Sequence, residues 1–466
     1  MSGSSSWFGV QLLAVICLTS LVTPVVSSPP HIIFVVADDL GWNDVGWHNP
    51  AMITPNLNRF ARNGVILNSS YVQYYCSPSR NAFMTGYFPY HTGLQHGVIM
   101  GGEPRYVPSN FTMLPQLLKK VGYKTHVVGK WHLGMCNWKY TPTYRGFDTY
   151  FGYYNGAEDY YTHITGHGFD MRLNTSVAKD PNKTHFDYLF TQHAVDVIQG
   201  HDDPSTPLFL YLPFHLCHAP LQVPAKYENM YKQIQTKDRR IYCGMVSMMD
   251  EALGNITQAL EQAGLMDNTL LIFTTDNGGP VIHGANNWPL RGAKTTMMHA
   301  VDWFPTILYL AGSQPDSKID GVNQWDMLST GGDSKREEFV YNIDTILNST
   351  AIRYKDYKLM TGSPGIFNDW YPLPKDDVAM PPSPEYFDDG QLADVVSKKK
   401  RNPRLYNIRL DPEERNDLSE TEPDMMTFMM NRLQQWMKSG VPPQNSPSDP
   451  KGDPKNWGGV WTPGWC

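Results

Sequence analysis

His31-Ile32-Ile33-Phe34-Val35-Val36-Ala37 runs without a polar interruption into Asp38-Asp39. A continuous apolar, β-branched run lacks the alternation of a half-exposed strand and reads as a strand buried on both faces. The pattern recurs at Pro207 to Leu212, which ends near His215 and His218, and at Thr269 to Thr275, which ends in Asp276-Asn277-Gly278. Lys124 to Val128 reads as a shorter strand. Helical periodicity lies between them, at Leu114 to Val121, Asp238 to Gly264 and Met298 to Ala311, the last followed by Gly312. Pro55 to Asn63 reads as a short helix with Pro55 at its first position and Thr54 placed to cap it. Strands alternating with helices predict an α/β fold, a large and mostly parallel sheet flanked by helices. Ligands of such sheets bind beyond the carboxyl ends of the strands, where the polar clusters stand.

From about Tyr341 the pattern changes. Ile352 to Met360 and Arg404 to Leu410 read as short strands of a small antiparallel sheet, and Met425 to Met437 as a helix. This divides the chain into a main unit at 29–335 and a smaller C-terminal domain with its tail at 336–466. The Pro- and Asp-rich stretch Gly362 to Ser397 reads as loop, and Gly440 to Cys466 as packed irregular coil.

Residues 1–28 read as a signal peptide, with an apolar run from Leu12 to Val26 before Ser27-Ser28 and no Lys or Arg from Met1 to Trp7. The run is short for a membrane span and no later stretch is apolar enough, so no stable membrane insertion is expected. Six glycosylation sequons follow, at Asn68, Asn110, Asn174, Asn182, Asn255 and Asn348. Together they indicate the secretory pathway, with a lysosomal or extracellular destination. Removal of Cys17 leaves Cys76, Cys136, Cys217, Cys243 and Cys466, an odd number, so one cysteine is expected to do something other than pair. The formal charge of −7 provides no basic footprint for nucleic acid, although a local cluster of cations and metal can still hold an anion.

Asp38 and Asp39 close one strand, and Asp276 and Asn277 close another. Oxygen donors converging from two strand ends suit a hard cation, Ca²⁺ or Mg²⁺, although acidic residues after strands also serve as turn residues. Zinc is disfavoured because no His or Cys stands beside them at ligand spacing. Cys76-Ser77-Pro78-Ser79-Arg80 precedes a helix expected at Asn81 to Gly86, which places the thiol in a local positive field. The competing reading is a disulfide cysteine. Lys130 and His132 follow a strand, His215 and His218 follow another, and Lys294 lies in a Gly-containing loop. Tyr153-Tyr154 and Tyr160-Tyr161 either line a sugar subsite or pack the core.

These segments together resemble the type I, formylglycine-dependent sulfatase family. Cys76-Ser77-Pro78-Ser79-Arg80 with Thr85-Gly86 resembles its first signature. Gly122-Tyr123-Lys124-Thr125 through Gly129-Lys130-Trp131-His132-Leu133-Gly134 resembles its second. Ala37-Asp38-Asp39-Leu40-Gly41-Trp42 and Thr275-Asp276-Asn277-Gly278-Gly279 resemble its metal-binding segments. His91-Thr92-Gly93-Leu94-Gln95-His96, His218-Ala219-Pro220-Leu221-Gln222-Val223-Pro224 and Asn286-Asn287-Trp288-Pro289-Leu290-Arg291-Gly292 are similar to the arylsulfatase B-like branch.

The resemblance implies an alkaline phosphatase-like fold and a sulfuric ester hydrolase acting on glycosaminoglycan sugars such as N-acetylgalactosamine 4-sulfate. It implies that a formylglycine-generating enzyme oxidises Cys76, and that the hydrated aldehyde attacks sulfur. One Ca²⁺ per subunit would be held by Asp38, Asp39, Asp276 and Asn277, beside the Cys76-derived residue. Arg80 and Lys130 would offset charge on the sulfate, His218 with Lys294 would protonate the leaving alcohol, and His132 would take the second hydroxyl proton. His215 is expected to be a neighbour without a role. The chain departs from the pattern after Lys294-Thr295-Thr296, where a strand and its loops are missing relative to the family. That gap motivates a second possibility, a catalytically impaired splice-type product that at most binds glycans. A phosphoesterase on the same fold is disfavoured by Cys76, since such enzymes carry a Ser or Thr nucleophile.

Overall fold

The apolar run at 31–37 is buried along its whole length because it has sheet neighbours on both edges and helices on both faces. In the computed structural model the described residues are 29–68, 70–180, 182–290, 298–362 and 402–466. The expected signal, Lys294 and nearly all of the expected loop from Gly362 to Ser397 lie outside them.

Across the main sheet the strands run Thr269–Thr275, His31–Ala37, Leu208–Pro213, Lys124–Lys130, Thr149–Tyr153, Arg172–Leu173 and Ser176–Val177. The first five are parallel and the last two add antiparallel. The period of two along a strand divides the core. Ile32, Phe34 and Val36 face a cluster with Phe83, Trp303 and Phe304, and Phe34 stacks edge-on against Phe83 at 5.2 Å. Ile33, Val35 and Ala37 face the opposite cluster, built on helices Phe186–Gln199 and Lys237–Gln262. Thr269–Thr275 is the terminal strand among the described residues, and only Ile272 of its seven residues is fully buried.

Local expectations needed correction at three places. Thr54 does not cap the helix Pro55–Asn63; its hydroxyl accepts from Gly46 N and donates to Asn58 Oδ1 instead. The helix expected at Asn81 begins at Cys76 and runs to Thr85, every residue of it buried. Met298–His299 is a short strand paired with Ser70–Tyr71, and the helix starts only at Ala300. There His299 N donates to Asp302 Oδ2 at 2.9 Å, which anchors the first turn.

The small sheet is antiparallel, in the order Glu338–Asp344, Ser349–Tyr354, Tyr357–Thr361 and Arg404–Asn407. Its first strand escaped the sequence reading because Glu338 and Asn342 interrupt the apolar pattern. One face packs on helix Pro423–Met437, with Tyr354 against Phe428 at 4.9 Å. The other faces the main unit, where Arg353 donates to the Tyr71 hydroxyl and Phe339 lies 4.6 Å from the Tyr71 ring. The coil from Gly440 returns over the main unit through Val441 N to Tyr90 O and Asp449 N to Gly102 O, and ends in a Cys136–Cys466 disulfide. Cys76, Cys217 and Cys243 are unpaired and buried.

Arg336, which leads into the small sheet, holds Asp302 through two nitrogens, at 2.8 and 2.5 Å, with both side chains buried. Asp302→Ala takes the counter-charge from that guanidinium, which keeps only the Glu338 and Asp320 carbonyls, and the acceptor from the His299 amide, and is expected to cost about 3–5 kcal/mol. The measurement is the urea midpoint of the purified protein; an unchanged midpoint would mean that the Glu338 and Asp320 carbonyls suffice for Arg336.

Candidate active site

Register decides which side chains meet. Strands 31–37 and 269–275 pair in parallel with Ala37 opposite Thr275, so they end level and Asp38 emerges beside Asp276. Val36 opposes Pro213 on the other side, so the turn carrying His215 and His218 starts at the same height. The next strand ends at Lys130. Helix Cys76–Thr85 lies across this end of the sheet and contributes Cys76 and, one turn later, Arg80.

The contacts are short and dry. Lys130 Nζ donates to Asp38 Oδ2 at 2.6 Å. Arg80 directs Nε and Nη2 to Asp276 Oδ2 at 3.0 and 2.8 Å, and Nη1 to the Lys130 carbonyl at 3.0 Å. The other Asp38 oxygen faces Cys76 Sγ at 3.5 Å. Asn277 Nδ2 donates to Asp39 Oδ1 at 2.5 Å, and His218 Nε2 lies 3.7 Å from Asp39 Oδ2. His218 is the partly exposed member, at 23% of its side chain, and marks the mouth. His132 Nε2 lies 2.9 Å from the Ile99 carbonyl, and its Nδ1 is buried without a partner. Asp39 and His132 both sit in left-handed backbone, at φ 59° and 56°, which a non-glycine residue adopts only where its surroundings impose it.

The electrostatics follow from burial. Desolvation opposes the charge on Arg80, yet Asp276 and Asp38 more than compensate and raise its pKa. Burial likewise opposes Lys130, and Asp38 holds it above the ordinary lysine value. Burial, then the Lys130 and Arg80 charges, push His132 well below the ordinary range, so its ring is neutral. Burial and then Asp38 drive the Cys76 thiol well above its usual pKa. This reverses the expectation of an activating positive field: the helix N-terminus is there, but Asp38 is nearer than any uncompensated cation. As it stands, Cys76 is a protonated thiol rather than a thiolate nucleophile.

The donor set fits a divalent cation. Ligand atoms of Asp38, Asp39, Cys76 and His218 lie within 4.8 Å of one another. Asn277 Oδ1 is buried with no hydrogen-bond partner, so a carbonyl oxygen is left for a ligand. Burial and Asp38 push Asp276 up, a sign of excess negative charge in the cluster. Carboxylates and an amide oxygen are the donors of Ca²⁺ or Mg²⁺. Asp276 has one oxygen committed to Arg80, leaving Oδ1, at 3.4 Å from Asp39 N, as the freer donor.

Asp38, Asp39, Cys76, Arg80, Lys130, His132, His218, Asp276 and Asn277 thus share one site, and Lys294 lies outside the described residues. Three of the four tyrosines pack the core, and only Tyr161 is half-buried. Tyr153, Tyr154 and Tyr160 are buried, and the Tyr160 hydroxyl donates to the carbonyls of His215 and His218. His215 is no bystander: its Nδ1 lies 2.5 Å from the Tyr153 hydroxyl and 4.0 Å from Asp38 Oδ2. Only the segment His218-Ala219-Pro220-Leu221-Gln222 separated His218 from it in the sequence, and that segment says nothing of what His215 touches. Sequence reasoning also missed two glycines required by close approach. A Cβ on Gly156 would lie 2.6 Å from His132 Cε1, and one on Gly279 would lie 2.8 Å from Gly41 N.

Residues 30–333 match the family model described as Sulfatase. Arylsulfatase J of Mus musculus is 38% identical over 489 residues, covering 94% of this chain and 80% of the relative. N-acetylgalactosamine-6-sulfatase of Mus musculus is 29% identical over 503 residues, covering 93% and 91%. Among solved structures, Ps i-CgsB in complex with k-i-k-neocarrahexaose superposes with a TM-score of 0.75 at 25% identity, covering 91% of this chain and 95% of that one.

If the oxygen cluster takes a cation, Ca²⁺ added to chelator-treated protein should raise its thermal stability by about 2.7 kcal/mol at a hundredfold excess over Kd. Asp39→Asn should remove most of that gain, and an equal gain in the variant would move the ion elsewhere.

Proposed function

The chain belongs to the sulfatase family, and on that premise we propose that it hydrolyses sulfate esters of glycosaminoglycan sugars, such as N-acetylgalactosamine 4-sulfate, with Cys76 as the formylglycine precursor. As a member it is a sulfuric ester hydrolase, and the family generally uses formylglycine and a divalent metal. The observation that carries the finer reading is Cys76 Sγ at 3.5 Å from Asp38, inside a cradle completed by Lys130 and Arg80. Its raised thiol pKa fits a side chain that acts only after conversion.

Asp38, Asp39, Asp276 and Asn277 would hold Ca²⁺, which supplies charge neutralisation at the sulfate, while the hydrated aldehyde supplies the attacking hydroxyl. The chain's own residues do the rest. Lys130 and Arg80, held against Asp38 and Asp276, would offset the charge of the transferred group together with the cation, in a dry site where such interactions are strongest. Arg80 has three nitrogens committed to Asp276 and Lys130, so it also locks the helix of Cys76 to the strand ends. With Nδ1 of His218 donating to the Ala219 carbonyl at 2.6 Å, Nε2 faces the mouth beside Asp39 and, in the imidazolium form, hands its proton to the leaving alcohol. Lys294 is carried as its assistant. The Ile99 carbonyl fixes the Nε2–H tautomer of His132, and Nδ1 becomes the proton acceptor that returns the site to its starting state.

The proposal includes a catalytic unit at 29–335 with a smaller unit at 336–466, modification by a formylglycine-generating enzyme, and a secretory route to lysosome or exterior. Among the described residues no helix is long and apolar enough to cross a membrane. The shortened segment after Thr296 supports the second reading, a glycan-binding product without turnover.

Secreted protein co-expressed with the generating enzyme should hydrolyse an aryl sulfate in Ca²⁺, and Cys76→Ala should not. Mass spectrometry of the Cys76 peptide should find an aldehyde in place of the thiol. Soluble, glycosylated and modified protein without turnover would sink the enzymatic reading. His218→Ala should slow a sugar sulfate by about 10²–10⁴-fold and a nitrophenyl sulfate far less, since only the poorer leaving group needs the proton. Equal losses on both substrates would remove His218 from the acid role.

A further inference from the structure

The last strand of the small sheet begins at Arg404, which is 9% exposed. Among the described residues none of its three guanidinium nitrogens has a hydrogen-bond partner. Other buried arginines among the described residues do donate: Arg145 to two carbonyls, Arg239 to Asp44 and Arg336 to Asp302. A guanidinium cannot discharge by losing its proton, so a shielded one without a counter-group is costly and calls for an anion.

Position adds to this. Arg404 pairs with Met360, Met360 with Ala351, and Ala351 with Asn342. By strand alternation this row shares the face of Arg353, the face turned to the main unit. At its far end Asn342 Nδ2 donates to the Gln95 carbonyl, which also accepts from the Tyr74 hydroxyl. Tyr74 and Tyr75 are in ring contact at 4.4 Å, and Tyr75 immediately precedes Cys76. Arg404 therefore stands three strand spacings, roughly 14 Å, from Asn342, at the opposite end of the row that leads on through Gln95 and Tyr74 toward Cys76. The sequence leading into it, Lys398-Lys399-Lys400-Arg401-Asn402-Pro403-Arg404, has five cations in seven residues, the composition of a polyanion-binding run in a chain whose net charge is −7.

We propose that Arg404 anchors a second oxyanion site, separate from Cys76, which takes a sulfate group through the planar guanidinium fork. The identification of its source as a sugar further along a sulfated polysaccharide rests on the function proposed above. A polymer engaged at Cys76 would reach Arg404 only by extending along this seam, so the site would favour chains over single sugars and leave small aryl sulfates indifferent.

The test compares full-length secreted protein with R404M, an apolar side chain of similar length, and R404K, which keeps the charge but not the fork. Aryl sulfate kcat/KM is measured first. Binding of a chondroitin sulfate octasaccharide and of inorganic sulfate is then measured by calorimetry in the C76A background, where turnover cannot interfere. The expected result is octasaccharide binding about tenfold weaker in R404M, partial recovery in R404K, and aryl sulfate turnover unchanged. Weaker binding of inorganic sulfate alone would keep the oxyanion site and make free sulfate its ligand. Unchanged binding of both probes would overturn the proposal and leave Arg404 to ordered water. If R404M does not fold, R404K decides by the same readings. Absence of aryl sulfate turnover in the unmutated protein would defeat the proposed function alone, because the calorimetric arm does not depend on it.

Discussion

Arg80 with Asp276 and Lys130 with Asp38 are paired completely out of water, and the surrounding architecture has to keep them so. Losing one partner of such a pair leaves a bare buried charge, which costs several kcal/mol against a typical total stability of about 5–15 kcal/mol. Each of the four charges comes from a different element: two strands ending level, a third strand, and a helix laid across them. The sheet's register and the helix's seat are therefore stability requirements as well as catalytic ones. A shift of one residue in the 31–37 strand would turn Asp38 to the opposite face and strand Lys130.

The periphery serves the same end. The helix Ala300–Leu310 packs Trp303 and Phe304 into the core that contains Phe34 and Phe83, behind the helix that carries Cys76. The Arg336–Asp302 pair fastens that helix to the entry of the small sheet, and Arg353 and Phe339 clamp the sheet to Tyr71. The tail closes over the main unit and is covalently fixed by Cys136–Cys466. A strained backbone at Asp39 and His132 is tolerable only on so constrained a frame.

Tyr153, Tyr160 and His215 form a buried layer under the site. The Tyr160 hydroxyl ties the His215 and His218 carbonyls, and His215 sits between Tyr153 and Asp38. This layer fixes where His218 emerges. It offers a physical reason for aromatic residues to cluster in a region where the sequence left a sugar subsite and core packing equally open.

What the sequence by itself determined was the set of local periods and chemical types. The run at 31–37 was legible because a strand buried on both faces needs unbroken apolar residues; 269–275 read the same way, although as the terminal strand among the described residues it buries only Ile272 fully, and the acidic residues after both stood out against that background. The signatures around Cys76 and Lys130 pointed to the site for the same reason, since unusual residue types gather at fixed spacing. Tertiary structure alone decided what no local pattern encodes. Parallel register placed Asp38 beside Asp276. The bulk of the His132 ring made Gly156 obligatory. The approach of Asp38 reversed the expected activation of the Cys76 thiol, and a partner 330 residues away paired Cys136. Each of these depends on a distance between residues remote in the chain, and such distances exist only once the chain has folded.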